Sequence, residues 1–201
     1  MDIFAHDKIL PMRISRSLLF VLLFLSFSCF AQEKYPALDK SPLDISYCPN
    51  NYPILKVQQK ATVPLVARLI YSRPATQGRK IFGELIEYGK VWRMGANEST
   101  EIEFYKDVFF GKTKLKKGRY SLYMLPAAGK WTFIINRETD SWGAFAYDSK
   151  KDLVRMEVAP QSTQTSVENL SIYFDECGTG CYNINILWEN TQLSIPFQLA
   201  K

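Results

Sequence analysis

From Thr62 onward the chain alternates apolar and polar residues with a period of two, run after run, and this restricts the fold more than any other feature. Val63, Leu65, Ala67, Leu69 and Tyr71 alternate in this way. So do Tyr120, Leu122 and Met124 before the turn Pro126-Ala127-Ala128-Gly129-Lys130, and Trp131, Phe133 and Ile135 after it. Side chains that recur every second residue line one face of an extended strand, so each run has one apolar face to bury. The two runs around Pro126 to Lys130 predict a hairpin. Leu170, Ile172 and Phe174 answer Tyr182, Ile184, Ile186 and Trp188 across a second tip, and Leu193, Ile195 and Phe197 predict a closing strand. No helix of ordinary length shows itself. The pattern predicts an all-β fold, a single β-sandwich of antiparallel sheets, jelly-roll or immunoglobulin-like, over residues 62–201. That length suits one core and one domain.

The amino terminus is of a different kind. Arg13 and Arg16 precede the apolar run Leu18 to Phe27, then Ser28, Cys29, Phe30 and Ala31. These are the three parts of a secretory signal peptide, with cleavage expected after Ala31 and Met12 as a candidate true start. The apolar run is shorter than the roughly 20 residues of a spanning helix, so no transmembrane helix is expected after cleavage. Lipidation of Cys29 is the rival reading, weakened by Ser26 and Phe27 where such signals carry other residues. The expected localisation is therefore exported, in the periplasm or cell envelope. Residues 32–61 carry Pro36, Pro42, Pro49 and Pro53, too closely spaced for any helix, and read as an extended arm whose Tyr35, Leu38, Leu43, Ile45 and Tyr47 give it points to pack down on the domain.

Several function classes are then excluded or disfavoured. The only histidine is His6, ahead of the signal sequence, so a cleaved chain has no imidazole for Ser-His-Asp or Cys-His catalysis or for imidazole-bound zinc. Removing residues 1–31 leaves 22 basic against 18 acidic residues, a net charge of only +4. The one basic cluster, Lys112, Lys114, Lys116, Lys117 and Arg119, reads as a solvated strand edge rather than a nucleic-acid stripe. Cys177 and Cys181 flank Gly178-Thr179-Gly180, and in an oxidising compartment a local disulfide is the preferred reading. A redox pair or a cysteine-only metal site are the alternatives. Cys48 is left over, free or able to pair with one of the others. No cofactor and no metal site is expected.

The polar chemistry concentrates in Tyr71 to Thr100. Tyr71-Ser72-Arg73-Pro74, Gly78-Arg79-Lys80-Ile81-Phe82-Gly83, Tyr88-Gly89-Lys90-Val91-Trp92-Arg93 and Gly95-Ala96-Asn97-Glu98 resemble the hallmark of the domain of unknown function 2911 family. The likeness runs from about Asp39 to Phe197, with Met94 where a threonine is more usual and Cys48 where an aromatic is. It implies an exported β-rich domain of the kind found mostly in Bacteroidota. It supplies no catalytic residues.

Read chemically, Arg73, Arg79 and Arg93 offer planar forks for carboxylate, phosphate or sulfate, and Tyr71, Tyr88 and Trp92 offer flat faces for a sugar or a cation. Asn97 and Glu98 add a donor and an acceptor. These eight residues are the candidate ligand-binding set, and the bland alternative is an internal ion-pair and stacking network, for instance Arg93 with Glu98. Trp92, and more so Trp131, Trp142 and Trp188, read as core. The leading functional expectation is a non-catalytic, exported binding module for a glycan, an envelope fragment or a small anion. The second is an envelope structural or protein-interaction domain. The third is a histidine-free hydrolase pairing Glu98 with Glu84, Glu87 or Glu101. Oligomeric state is not legible.

Overall fold

The computed structural model describes residues 35–200, so the signal peptide, Met12, Cys29, the cleavage site and His6 lie outside the described residues. The strands are β1 (Leu43–Cys48), β2 (Ala67–Ser72), β3 (Thr100–Phe104), β4 (Val108–Phe110), β5 (Thr113–Leu115), β6 (Gly118–Leu125), β7 (Trp131–Asn136), β8 (Asp152–Val158), β9 (Gln161–Gly178) and β10 (Cys181–Leu199), with a short α-helix, α1 (Tyr52–Val57), and a single 3-10 turn at Ser149–Lys151 among the described residues. They form a six-stranded sheet in the order β1-β2-β3-β6-β7-β8 and a four-stranded sheet in the order β5-β4-β10-β9. All pairings are antiparallel. The fold is an all-β sandwich, and it is not closed into a barrel.

Most of the alternating runs fall where the period-two pattern puts them, but the first begins only at Ala67: Val63 and Leu65 precede β2, Val63 is exposed and Val66, out of phase, is buried. Met124 lies opposite Phe133 and Leu122 opposite Ile135 in the β6–β7 hairpin, while Ile172 faces Ile186 and Phe174 faces Ile184 across β9–β10. The core is the set of inward residues from both sheets, among them Leu69, Ile102, Leu122, Phe133, Phe174, Ile184 and Phe197, all essentially inaccessible. Phe110 stacks on Phe197 with ring centroids 5.5 Å apart, and Trp92 stacks on Trp188 at 5.8 Å.

The expected closing strand is not separate. Inward positions in β10 are even-numbered up to Trp188 and odd-numbered from Leu193, and such a change of parity in a continuous strand needs an inserted residue. The register shifts around Glu189, whose φ is 53°, supply it, so one 19-residue strand serves both halves.

The described part of the expected arm, residues 35–61, also differs from an extended arm. β1 pairs with β2 along its length, Leu43 opposite Ser72 and Cys48 opposite Ala67, and so forms the edge of the larger sheet. The expectation that its prolines exclude any helix is corrected by α1. Pro53 sits in the first turn of α1, where a missing N–H removes no intrahelical bond. Among the described residues no helix is long and apolar enough to cross a membrane. Cys177 and Cys181 are joined at the β9–β10 tip, and Cys48 is a free thiol at 0% exposure whose burial pushes its pKa up.

Residues 137–148, between β7 and β8, form a strap across the outer face of the six-stranded sheet. Tyr123 points away from the core between Leu122 and Met124, yet it is only 1% exposed, because Tyr147 of the strap meets it edge-on at 5.1 Å. Tyr147 donates to Asp152 Oδ2 at 2.7 Å, which fastens the strap's far end.

Candidate functional site

Tyr71, at the end of β2, turns its ring into the core, and its hydroxyl accepts the Ile172 N–H of β9 at 3.0 Å. Arg73, just beyond, donates from Nε to the Leu170 carbonyl at 3.0 Å, from Nη2 to Ser171 Oγ at 2.9 Å and from Nη1 to Asp44 Oδ2 at 2.9 Å. The Leu170 N–H donates to the Pro74 carbonyl, the Thr76 N–H to the Glu168 carbonyl, and Ser46 Oγ to the Ile172 carbonyl. Together these bonds cover the outer edge of β9, whose N–H and C=O groups would otherwise be left unpaired. Glu168 finishes the seam, its carboxyl held below the usual range first by the Thr76 hydroxyl and then by the Gln77 N–H. Burial is the main cause of the raised Tyr71 pKa.

Arg79 and Trp92 are likewise committed. Arg79 donates to the Thr76 and Ala75 carbonyls at 2.9 and 2.8 Å and so staples its own loop. Trp92, 3% exposed, is core, and its indole N–H donates to the Gly95 carbonyl at 3.1 Å. A Cβ on Gly95 would meet Thr100 Oγ1 at 3.2 Å and the Ser72 carbonyl at 3.3 Å, so glycine lets this turn lie against the end of β2 without displacing either. Tyr88 is half-exposed and rests beside Gly83.

The last three candidates behave differently. Arg93 and Glu98 form no ion pair with each other, and neither side chain has a hydrogen-bond partner among the described residues. Asn97, with φ 56°, accepts the Gly143 N–H through its carbonyl, and the Ser99 N–H donates to the Ser141 carbonyl, both at 2.9 Å. These two bonds and that from Ser99 Oγ to the Gly143 carbonyl dock the strap on the segment leading into β3.

Between the strap and the β1–β2 edge lies a cleft of 360 Å³, lined by Leu43, Ile70, Tyr71, Ser72, Glu98, Ser99, Glu101, Asp140 and Ser141. Its volume falls in the roughly 300–1,000 Å³ range of small-ligand sites. Arg119 fixes one wall, with Nη2 2.5 Å from Asp140 Oδ2 and Nε 3.5 Å from Glu101 Oε2, while Glu101 Oε1 accepts the Asp140 N–H at 2.6 Å. Ser72 is 2% exposed and its hydroxyl has no partner. Of the eight candidate residues, the structure brings only Tyr71 and Glu98 to this cleft.

The hydrolase pairing finds limited geometry. Glu98 and Glu101 share the cleft, but Glu84 pairs with Lys80 at 3.5 Å, and neither Glu84 nor Glu87 lines it. Glu101 is engaged by a cation and an N–H, and Glu98 is exposed, the reverse of the apolar burial that makes a carboxyl a proton donor.

Sequence reasoning missed the strap. Its Asp140 and Ser141 had no motif, and Trp142, expected in the core, is 60% exposed. The correction has a local cause: Asp140 and Gly143 both take left-handed backbone, φ 61° and 67°, which breaks any strand alternation around Trp142. The one usable signal was the polar, turn-rich run Arg137-Glu138-Thr139-Asp140-Ser141 directly after β7.

No curated protein and no solved structure matches the chain. A family model described as "Protein of unknown function (DUF2911)" matches residues 53–197, from α1 through nearly all of β10. That match covers the sandwich strands from β2 on, the seam and the strap, well over half of the 201 residues, and the chain therefore belongs to the DUF2911 family.

Proposed function

We propose that this chain is an exported, non-catalytic binding module whose site is the strap cleft, and that its ligand is a glycan or similarly polyhydroxylated envelope fragment. The observation that carries the reading is the polar lining: an enclosed Ser72 hydroxyl with no partner and an unpaired Glu98, beside Glu101 and Asp140, both paired with Arg119. An ionised carboxylate is purely an acceptor, which suits sugar hydroxyls, and an unpartnered buried hydroxyl costs about 1–3 kcal/mol until a ligand satisfies it. Leu43 and Ile70 give the cleft an apolar wall for the non-polar face of a ring. The small-anion version of the expectation is disfavoured for this cleft by its three carboxylates. The disulfide at the β9–β10 tip supports the exported setting.

The test is calorimetric titration of the chain with neutral oligosaccharides of envelope composition, beside Glu98→Gln and Asp140→Asn. Saturable binding by the parent, weakened at least tenfold in Glu98→Gln, is expected. Binding that is equal in the parent and both variants, or no binding of any neutral saccharide, would overturn the assignment of the cleft.

A further inference from the structure

Three arginines of the described residues are half-buried, Arg68, Arg73 and Arg93, and of these only Arg93 makes no side-chain hydrogen bond or ion pair. Arg68 pairs with Glu103, Arg73 with Asp44, and Arg119 and Arg155 with aspartates, the closest contacts lying between 2.5 and 3.0 Å. Arg93 is half-buried, its Nε is enclosed without an acceptor, and no carboxylate stands within ion-pair distance. Burial alone lowers its pKa, with no compensating neighbour. Enclosing one guanidinium nitrogen without an acceptor or a counter-charge is unfavourable, and an anion from outside the chain would supply both.

The surroundings say what that partner is. Trp92, the preceding residue, is hydrogen-bonded to Met124 across an isolated bridge, and Trp92 faces the core, so alternation places Arg93 on the outer face of the larger sheet. The strap passes beside it: a Cβ on Gly143 would stand 4.0 Å from Arg93 Cδ and 3.0 Å from the Phe145 ring. Gly143 is flanked by two exposed aromatic residues, Trp142 at 60% and Phe145 at 91%. Only Nε of the guanidinium is enclosed, which leaves the two terminal nitrogens open to an incoming group.

We infer that Arg93 is an oxyanion-binding point, taking a carboxylate or phosphate end-on through its Nη atoms while Trp142 and Phe145 offer the carrier of that group apolar faces. A planar fork with two parallel N–H donors matches the oxygens of either anion, and exposed aromatic faces beside a cation suit a ring-borne acid. The inference does not rest on the cleft being a glycan site. Neutral saccharides test the cleft, and only the charged group tests Arg93.

The experiment is thermal unfolding of the full chain at constant ionic strength with glucose, glucuronate or glucose 1-phosphate, in the parent, Arg93→Gln and Arg93→Lys. The parent's Tm is expected to rise by about 5–10 °C at a hundredfold excess over Kd with one or both acids, beyond any rise with glucose. A response to glucuronate alone assigns a carboxylate site, and to glucose 1-phosphate alone a phosphate site. Arg93→Gln should lose the acid-specific rise yet melt no lower than the parent without ligand, since it removes an unpaired charge. Arg93→Lys keeps the charge without the fork, should bind at least tenfold more weakly, and carries the test if the glutamine variant does not fold. No acid-specific rise in the parent, or the same rise in a folded variant, overturns the inference.

Discussion

Two stretches of one polar segment have opposite fates. Tyr71, Arg73, Arg79 and Trp92 spend their polar groups on backbone carbonyls, a backbone N–H and one aspartate, closing the edge of β9 and the turns around it. Arg93 and Glu98, a few residues on, have no such partners and stand by the strap. Residue type does not separate the two stretches, because both contain arginine. What separates them is whether unpaired backbone groups, of a strand edge or of a tight turn, lie within reach. β9 offers unpaired N–H and C=O groups that an arginine or tyrosine can satisfy, whereas the outer sheet face under the strap offers none to Arg93.

Substitutions should therefore split cleanly between stability and binding. The largest effect is expected from Trp92→Ala, which empties a stacked position in the core and should cost about 3–5 kcal/mol in urea unfolding. A cost below 1 kcal/mol would remove Trp92 from the structural stretch. Tyr71→Phe comes next: it keeps the ring but orphans the Ile172 N–H, at about 1–3 kcal/mol, and hydrogen exchange at Ile172 should accelerate.

The pH limits of the two regions should also differ in direction. Glu168, in the seam, has a folded pKa below its ordinary 4.5, so its contribution is present above that value and is lost as pH falls through the folded pKa. Tyr147, which fastens the strap, is pushed up to about 12, first by burial and then by its bond to Asp152. Its contribution is complete below pH 10 and is lost between pH 10 and about 12. Glu168→Gln should flatten the acid limb of a stability–pH curve and Tyr147→Phe the alkaline limb, and the reverse assignment would break the contrast. The smallest expected effect is on the free stretch. Glu98→Gln should leave unfolding within about 0.5 kcal/mol of the parent, and a larger loss would mean that Glu98 supports the fold after all.

Much of the fold was legible because strand patterning is a local property. The β6–β7 and β9–β10 hairpins, their facing pairs and the charged edge at β5 follow from residues two apart and from the turns between runs. β1 was missed as a sheet strand because Leu43-Asp44-Ile45-Ser46 is short and sits among prolines, and only pairing with β2 defines it. Cys48, opposite Ala67, becomes core by the same pairing. Glu189 conceals a strand's continuity by changing its parity at a bulge.

The sequence by itself determined the fold class, the main hairpins, most of the core and the kinds of polar group that would gather in Tyr71 to Thr100. Only the tertiary structure decided which of those groups remain available. Arg73 meets its carbonyl partner 97 positions away and Tyr71 its N–H 101 positions away, while the cleft is assembled from β1, β2, β3 with its approach, and the strap. Alternation is set by each residue's immediate neighbours and survives in one dimension. Neutralising a charge or satisfying a hydroxyl depends on which distant backbone folding brings within about 3 Å, and that is fixed only when the sheets pack.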